Sequence, residues 1–234
     1  MQQQSTRRPV RLMSGFVVQT PFGVDVIPRF EQSGGAVQIE WNPTSVLLRE
    51  IDAGSRADVL LVTREAMDEL VAKGMADAST RVELLSSNLG VAVKRGAPHP
   101  RIANVDEFRE ALLDARSVAY SNAGASGIYF GKLIAEWGIA ETLNARATII
   151  KDGLAAEKLL SGDADLAIQQ ISELLSVEGI EIVGPFPPGA QKALSFSAAC
   201  FVGTDNLDEA KRFIAHIDDA AARDTYRRYG LDPV

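Results

Sequence analysis

Four short turns in this chain carry residue types that hold an anion without a metal: Ser14-Gly15, Thr44-Ser45, the run 122–127 with Ala125, Ser126 and Gly127, and Lys151-Asp152-Gly153. Serine and threonine hydroxyls donate hydrogen bonds, and glycine lets backbone amides come close. A helix that begins at such a turn adds unpaired N–H groups and the positive end of its dipole. Each motif alone is also an ordinary cap or turn. Their recurrence at matching places in two halves of the chain favours a shared anion-binding use.

Other side chains point to the same chemistry. Gln169 and Gln170 close an apolar run where two further apolar residues would be normal, so their amides need partners, either a neighbouring strand or a ligand. Tyr129 stands one turn into the helix after Gly127 and is read either as core or as a hydroxyl contact to the ligand. Lys151 is either a solvated loop residue or a cationic contact to a carboxylate. For proton-transfer chemistry the candidates are Lys151, Asp152, Tyr129 and Glu173, because neither histidine lies near the turns.

The remaining reactive residues are few. Cys200 is the one cysteine and lies in an apolar run, so it reads as core; His99 and His216 are far apart in the chain. A disulfide framework and a Cys or His metal site are not expected, and no cofactor is implied.

The elements that must position these turns repeat a pattern. Residues 10–13 read as a buried strand, followed by a helical stretch to Gln32 in which Pro28 should force a kink or break. Residues 36–41 alternate like a strand, 46–53 read as a helix closed by Gly54, and 57–62 as a strand buried on both faces. The order recurs as strand 117–120, helix 128–137, strand 147–150, helix 154–160 and strand 165–168. Ala53-Gly54-Ser55-Arg56-Ala57-Asp58 and Ser161-Gly162-Asp163-Ala164-Asp165 share a helix-ending glycine and a polar turn into a central strand. Both halves therefore follow one strand-helix-strand logic with parallel strands. Residues 88–94 and 194–202 are extended apolar segments suited to crossing between halves. Residues 205–229 read as helices with Leu207, Phe213, Ile214, Ile217 and Tyr226 on the apolar face.

At 234 residues, with 46% hydrophobic and 24% charged, the chain has the make-up of a folded protein of two modest lobes. The formal charge of -7 argues against nucleic acid, whose binding needs clustered Lys and Arg. It leaves a small anion open, since backbone amides do not enter the charge count. Residues 1–9 contain arginines but are not followed by the apolar stretch of a signal peptide. The expectation is a cytoplasmic protein as written, or a periplasmic one if the chain is a processed form, with no membrane insertion.

Ser14-Gly15 after the first strand, Thr44-Ser45 followed by Leu47, Ile51, Ala53-Gly54 and Ala57-Asp58, and the run Tyr226 to Leu231 together resemble the molybdate-binding branch of the type II periplasmic substrate-binding proteins, over nearly the whole chain. The resemblance implies an α/β fold of two lobes, each a mainly parallel sheet flanked by helices, joined by crossing hinge strands. Residues 1–88 with 200–234 would form one lobe and 89–199 the other, with a ligand cleft between them. It places Ser14, Thr44 or Ser45, Ala125 or Ser126 and the segment near Gly153 on a small anion. Where molybdate binders commonly present a tyrosine, this chain has Gln169-Gln170-Ile171-Ser172-Glu173, a set of amides that suits an organic carboxylate. The implied function is capture of a small anion, with an ABC transporter permease as partner if the chain is exported. A similar branch contains an aconitate isomerase, so the alternative is a cofactor-free isomerase of a small unsaturated polycarboxylate.

Overall fold

A computed structural model describes residues 8–234. The reading of an export signal rests partly on residues 1–7, which lie outside the described residues. In chain order the strands are β1 (Val10–Ser14), β2 (Val37–Trp41), β3 (Val59–Thr63), β4 (Val82–Ser87), β5 (Leu89–Lys94), β6 (Val118–Ser121), β7 (Thr148–Ile150), β8 (Leu166–Gln170), β9 (Ile180–Pro185), β10 (Leu194–Cys200) and β11 (Leu231–Pro233). The α-helices are α1 (Gln19–Pro21), α2 (Ile27–Gln32), α3 (Thr44–Asp52), α4 (Arg64–Ala72), α5 (Val105–Asp114), α6 (Ala125–Glu136), α7 (Ala140–Asn144), α8 (Glu157–Leu160), α9 (Ile171–Leu174), α10 (Leu207–Ile217) and α11 (Ala220–Arg228).

The chain forms two compact units. The first takes the chain up to Leu85, then Ser195–Arg228 and Asp232–Val234; the second takes Ser86–Leu194 and Tyr229–Leu231. Each is built on one sheet, of six strands in the order β11-β4-β10-β3-β1-β2 and of five in the order β7-β6-β8-β5-β9. In the first sheet β1 runs parallel to both β2 and β3, while β10 is antiparallel to β3. In the second, β6 runs parallel to β7 and β8, while β5 is antiparallel to β8 and β9. The strand-helix-strand repeats make the parallel cores. β5 and β10 are the extended apolar segments expected to cross, and they supply the antiparallel pairs.

The internal repeat has a hydrogen-bonded basis. Asp58 enters β3 and accepts the Arg11 N–H of β1 at 2.8 Å, while its own N–H donates to Arg11 O at 2.8 Å. Asp165 enters β8 in the same way: it accepts the Arg116 N–H at 2.9 Å, and its N–H donates to Ser117 O at 3.0 Å. Gly54 and Gly162 precede these turns with φ of 107° and 79°, a conformation that carries little penalty only without a Cβ. The two aspartates differ in burial. Asp58 is fully buried and also takes Arg8 and Thr204, whereas the Asp165 side chain is 44% exposed.

Three helix readings need correction. Residues 16–32 are divided, as expected near Pro28, but into a 3-10 turn, α1, a π-turn over Phe22–Val26 and α2 rather than two plain helices. Ile27 N–H reaches back five residues to Phe22 O. A π-turn shifts the hydrogen-bond ladder by one residue, and Pro28, which lacks an N–H, falls in the first turn of α2. The helix expected over 128–137 begins at Ala125, which brings Ala125 and Ser126 into its first turn. The helix expected over 154–160 holds regular geometry only from Glu157, so Gly153 lies in a loop ahead of a single turn. In the C-terminal helices Phe213, Ile214, Ile217 and Tyr226 are buried as expected, but Leu207, the first residue of α10, is 37% exposed.

Candidate functional site

In the first unit two turns at the C-terminal ends of β1 and β2 adjoin. Asn42 N–H donates to Ser14 O at 3.1 Å. A Cβ placed on Gly15 would stand 3.9 Å from Thr44 Oγ1. Thr44 and Ser45 are the first two residues of α3, and the residue before them is Pro43, which offers no capping side chain. The reading of Thr44 or Ser45 as an ordinary cap is therefore not the one realised. Among the described residues the Thr44 hydroxyl has no hydrogen-bond partner. Ser14 is fully buried and its hydroxyl donates to Gly15 O at 3.0 Å, so its proton is engaged until the rotor turns.

In the second unit the corresponding strand end is that of β6. Ser121 Oγ, which the residue pattern did not single out, accepts the Ala123 N–H at 3.2 Å and the Gly124 N–H at 3.0 Å and shapes the turn. α6 then starts at Ala125 behind Gly124, again with no side-chain cap. Ser126, in that first turn, is 2% exposed, and its hydroxyl has no partner among the described residues. Gly127 serves packing instead, because a Cβ there would lie 1.5 Å from Ser121 O. Its bare Cα lets the N-terminus of α6 sit directly on the strand end.

The remaining expected residues separate. Tyr129 is anchored, its hydroxyl donating to Ala190 O at 2.8 Å. Lys192, which sequence reasoning missed, places its ammonium 5.8 Å from the centre of the Tyr129 ring. Lys151 and Gly153 lie in an exposed loop. Gln169 holds that loop: its side-chain oxygen accepts the Ala155 N–H at 2.6 Å, and its amide nitrogen lies 3.5 Å from Gly153 O.

Gln170 and Glu173 form a buried polar pair. Gln170 is 3% and Glu173 7% exposed. The Glu173 carboxylate accepts the Gln170 backbone N–H at 3.3 Å and the Gln170 side-chain amide at 3.1 Å. Burial pushes the Glu173 carboxyl up to about 7, against the pull of its hydrogen bonds from Gln170 and Gln169. The two residues form a reciprocal capping box at the start of α9, in which the buried Gln170 side-chain oxygen faces the Glu173 backbone N–H without reaching full hydrogen-bond geometry. The sequence signal was the three-residue spacing from Gln170 to Glu173 at a strand-to-helix junction, the spacing of a capping box.

A hollow of about 780 Å³ opens at the other end of this unit's sheet, lined by Val93, Arg101, Glu107, Ala111, Arg116 and Leu166 among others. It lies at the N-terminal ends of β6 and β8, away from the turns above. Arg101 pairs with Glu107 and Arg116 with Asp165, so much of its charge is already matched. Among the described residues there is no group of His, Cys, Asp and Glu arranged to hold a metal, and no helix is long and apolar enough to cross a membrane.

Parallel strand ends that feed uncapped helices, in both units, are the arrangement of the two-lobed periplasmic binding proteins. The sequence profile of the bacterial extracellular solute-binding proteins matches residues 18–232. The chain belongs to that family. Within it the molybdate-binding-like branch is the one it resembles: it is 27% identical over 215 residues to the molybdate-binding protein ModA of Escherichia coli, covering 89% of this chain and 79% of that one. The periplasmic molybdate-binding protein of Azotobacter vinelandii superposes with a TM-score of 0.78 at 19% identity, over 95% of this chain and 98% of that one. An aconitate isomerase from a Pseudomonas species is 36% identical over 179 residues, 76% of this chain and 68% of that protein.

Proposed function

We propose that this solute-binding protein captures a small anion, with an organic carboxylate preferred to a compact oxyanion. The observation that carries this reading is paired. Each unit starts a helix of nine or more residues directly at a strand end, without a side-chain cap, and sets an unpartnered hydroxyl in its first turn: Thr44 on α3 and Ser126 on α6. An uncapped N-terminus leaves amide donors available, and its dipole favours negative charge. Hydrogen bonds to a charged acceptor contribute about 1.5–3 kcal/mol each, so two hydroxyls and a few amides suffice for micromolar capture. The preference for a carboxylate rests on the 36% identity to an aconitate isomerase and on Lys192, whose ammonium lies 5.8 Å from the centre of the Tyr129 ring on α6. In the transport reading the protein works outside the cytoplasm and delivers its ligand to an ABC transporter permease.

Thermal-shift and calorimetric titration with molybdate, tungstate, sulfate, phosphate, citrate, and cis- and trans-aconitate tests this. One class should raise the melting temperature. A panel with no shift at millimolar ligand removes the reading.

A second reading is supported by the 36% identity to an aconitate isomerase together with one buried, readily protonated carboxyl, Glu173. In it the protein moves a proton beside a carboxylate of an unsaturated tricarboxylate, with Glu173 as the base. Proton NMR of cis-aconitate incubated with the protein decides: appearance of the trans isomer establishes turnover, and none at high protein concentration excludes this substrate.

A further inference from the structure

The start of α6 gathers positive potential that the protein itself does not neutralise. The helix ladder opens with the Ile128 N–H donating to Gly124 O at 2.9 Å, so the amides of the first turn ahead of it are not consumed by the helix. α6 runs for 12 residues and has no side-chain cap. Ser126 is 2% exposed and its hydroxyl has no partner among the described residues. A Cβ built on Gly124, the residue before the helix, would stand 4.0 Å from the Ser126 oxygen, which places that oxygen at the helix entrance. Side chains on a helix lean toward its N-terminus, so the ring of Tyr129, three residues on, stands alongside the same turn. The Lys192 ammonium lies 5.8 Å from the centre of that ring, and no carboxylate pairs with it among the described residues. A cation is disfavoured at the positive end of a helix, so the two together require negative charge.

The backbone beneath that ammonium is fastened from two sides. The Tyr129 hydroxyl donates to Ala190 O at 2.8 Å. The Gln191 side chain spans the backbone of Leu89 at the start of β5, accepting its N–H at 3.2 Å and donating to its carbonyl at 2.9 Å. The Lys192 N–H donates to the same Gln191 oxygen at 3.1 Å. The segment is thus fixed against α6 and β5, while the Lys192 side chain itself is exposed. A charge placed in advance loses less freedom when a ligand arrives.

We propose that Lys192 is a specificity-determining residue of this site: it binds a second anionic group on a ligand whose first is held at the start of α6 by Ser126 and the unused amides, so that the ligand class is an extended dicarboxylate or tricarboxylate. This rests on the anion-capture reading above. The step from Ser126 to Tyr129 is close to one helical turn, roughly 5 Å along the axis. That length exceeds a tetrahedral oxyanion and suits carboxylates separated by a short carbon chain, as in succinate or glutarate. A compact oxyanion fills the helix entrance without touching the ammonium. A long-range field from Lys192 favours every dianion alike, whereas direct contact favours only those long enough to reach it.

The test titrates the whole protein calorimetrically with succinate, glutarate, trans-aconitate and molybdate at neutral pH, where succinate, glutarate and molybdate carry the same charge. Lys192→Met should lower the affinity of the carboxylates relative to molybdate by about tenfold or more, the loss expected for one hydrogen bond to a charged group. Lys192→Arg, which keeps the charge, should recover most of that loss. Lys192→Gln is a second uncharged variant, and urea unfolding midpoints equal to wild type show that the variants are folded. An equal loss for molybdate and the carboxylates, or no loss for any of them, overturns the proposal and leaves anion capture standing. Binding of molybdate alone does the same. Where the carboxylates bind and molybdate does not, about a tenfold loss in Lys192→Met supports the proposal and an unchanged affinity overturns it. Absence of binding by every probe removes anion capture itself.

Discussion

Gly127 of α6 passes so close to the end of β6 that a Cβ would stand 1.5 Å from the Ser121 carbonyl oxygen. No rotamer change relieves a clash between a Cβ and backbone. Gly127→Ala should therefore cost about 3 kcal/mol or more of stability, or displace the first turn of α6. Denaturant unfolding measures the first, and loss of anion binding reports the second. A variant with wild-type stability and binding contradicts the packing role.

Ser126 should behave in the opposite way. Its hydroxyl makes no hydrogen bond to the described residues, so Ser126→Ala removes no protein contact and should leave stability nearly unchanged. On the capture reading the same change weakens binding by about tenfold or more, as does Thr44→Ala in the other unit. A loss in either variant assigns that hydroxyl to anion binding. If only one variant loses affinity, the second helix is not part of the site.

Glu173 also sets a pH signature for folding. Its folded affinity for protons, raised to about 7 from the ordinary 4.5, means that the folded state binds more protons than the unfolded chain between these values. Stability from this group is therefore complete below pH 4.5 and falls as pH rises to 7, by about 2–4 kcal/mol in total. Glu173→Gln should be more stable than wild type at pH 8 by an amount of that order and should lose the advantage near pH 4.5. Urea unfolding at both pH values checks this. An unchanged difference at the two pH values contradicts it.

The repeated aspartates predict unequal costs at equivalent positions. Removing Asp58 strands the Arg11 N–H and the Thr204 hydroxyl inside the first unit, so Asp58→Ala should cost about 3 kcal/mol. Asp165→Ala removes a half-exposed carboxylate whose partners can turn to water and should cost under about 1 kcal/mol. The hydrogen bonds that lower the Asp58 carboxyl below its ordinary range hold it ionised in the fold. Its contribution is thus present above the unfolded value and lost as pH falls through the folded one, the reverse of Glu173. Guanidinium melts of the two variants at neutral pH separate the cases.

Residue order alone determined the strand-helix-strand repeat, its parallel cores, and the four small-residue turns, because apolar periodicity and a glycine at a helix end are local properties of a chain. It also made the family legible through Ser14-Gly15, Thr44-Ser45 and Ala57-Asp58. What it could not decide was which member of each turn has a free donor. Only packing shows that Gly127 is spent on Ser121, Tyr129 on Ala190 and Gln169 on the Ala155 amide, while the Thr44 and Ser126 hydroxyls have no partner among the described residues. Nor could it show that Glu173 is buried beside Gln170, since a carboxyl's proton affinity depends on the desolvation imposed by neighbours distant in sequence. The elements follow from short-range pattern; the chemistry of the site follows from which polar atoms the tertiary contacts leave unsatisfied.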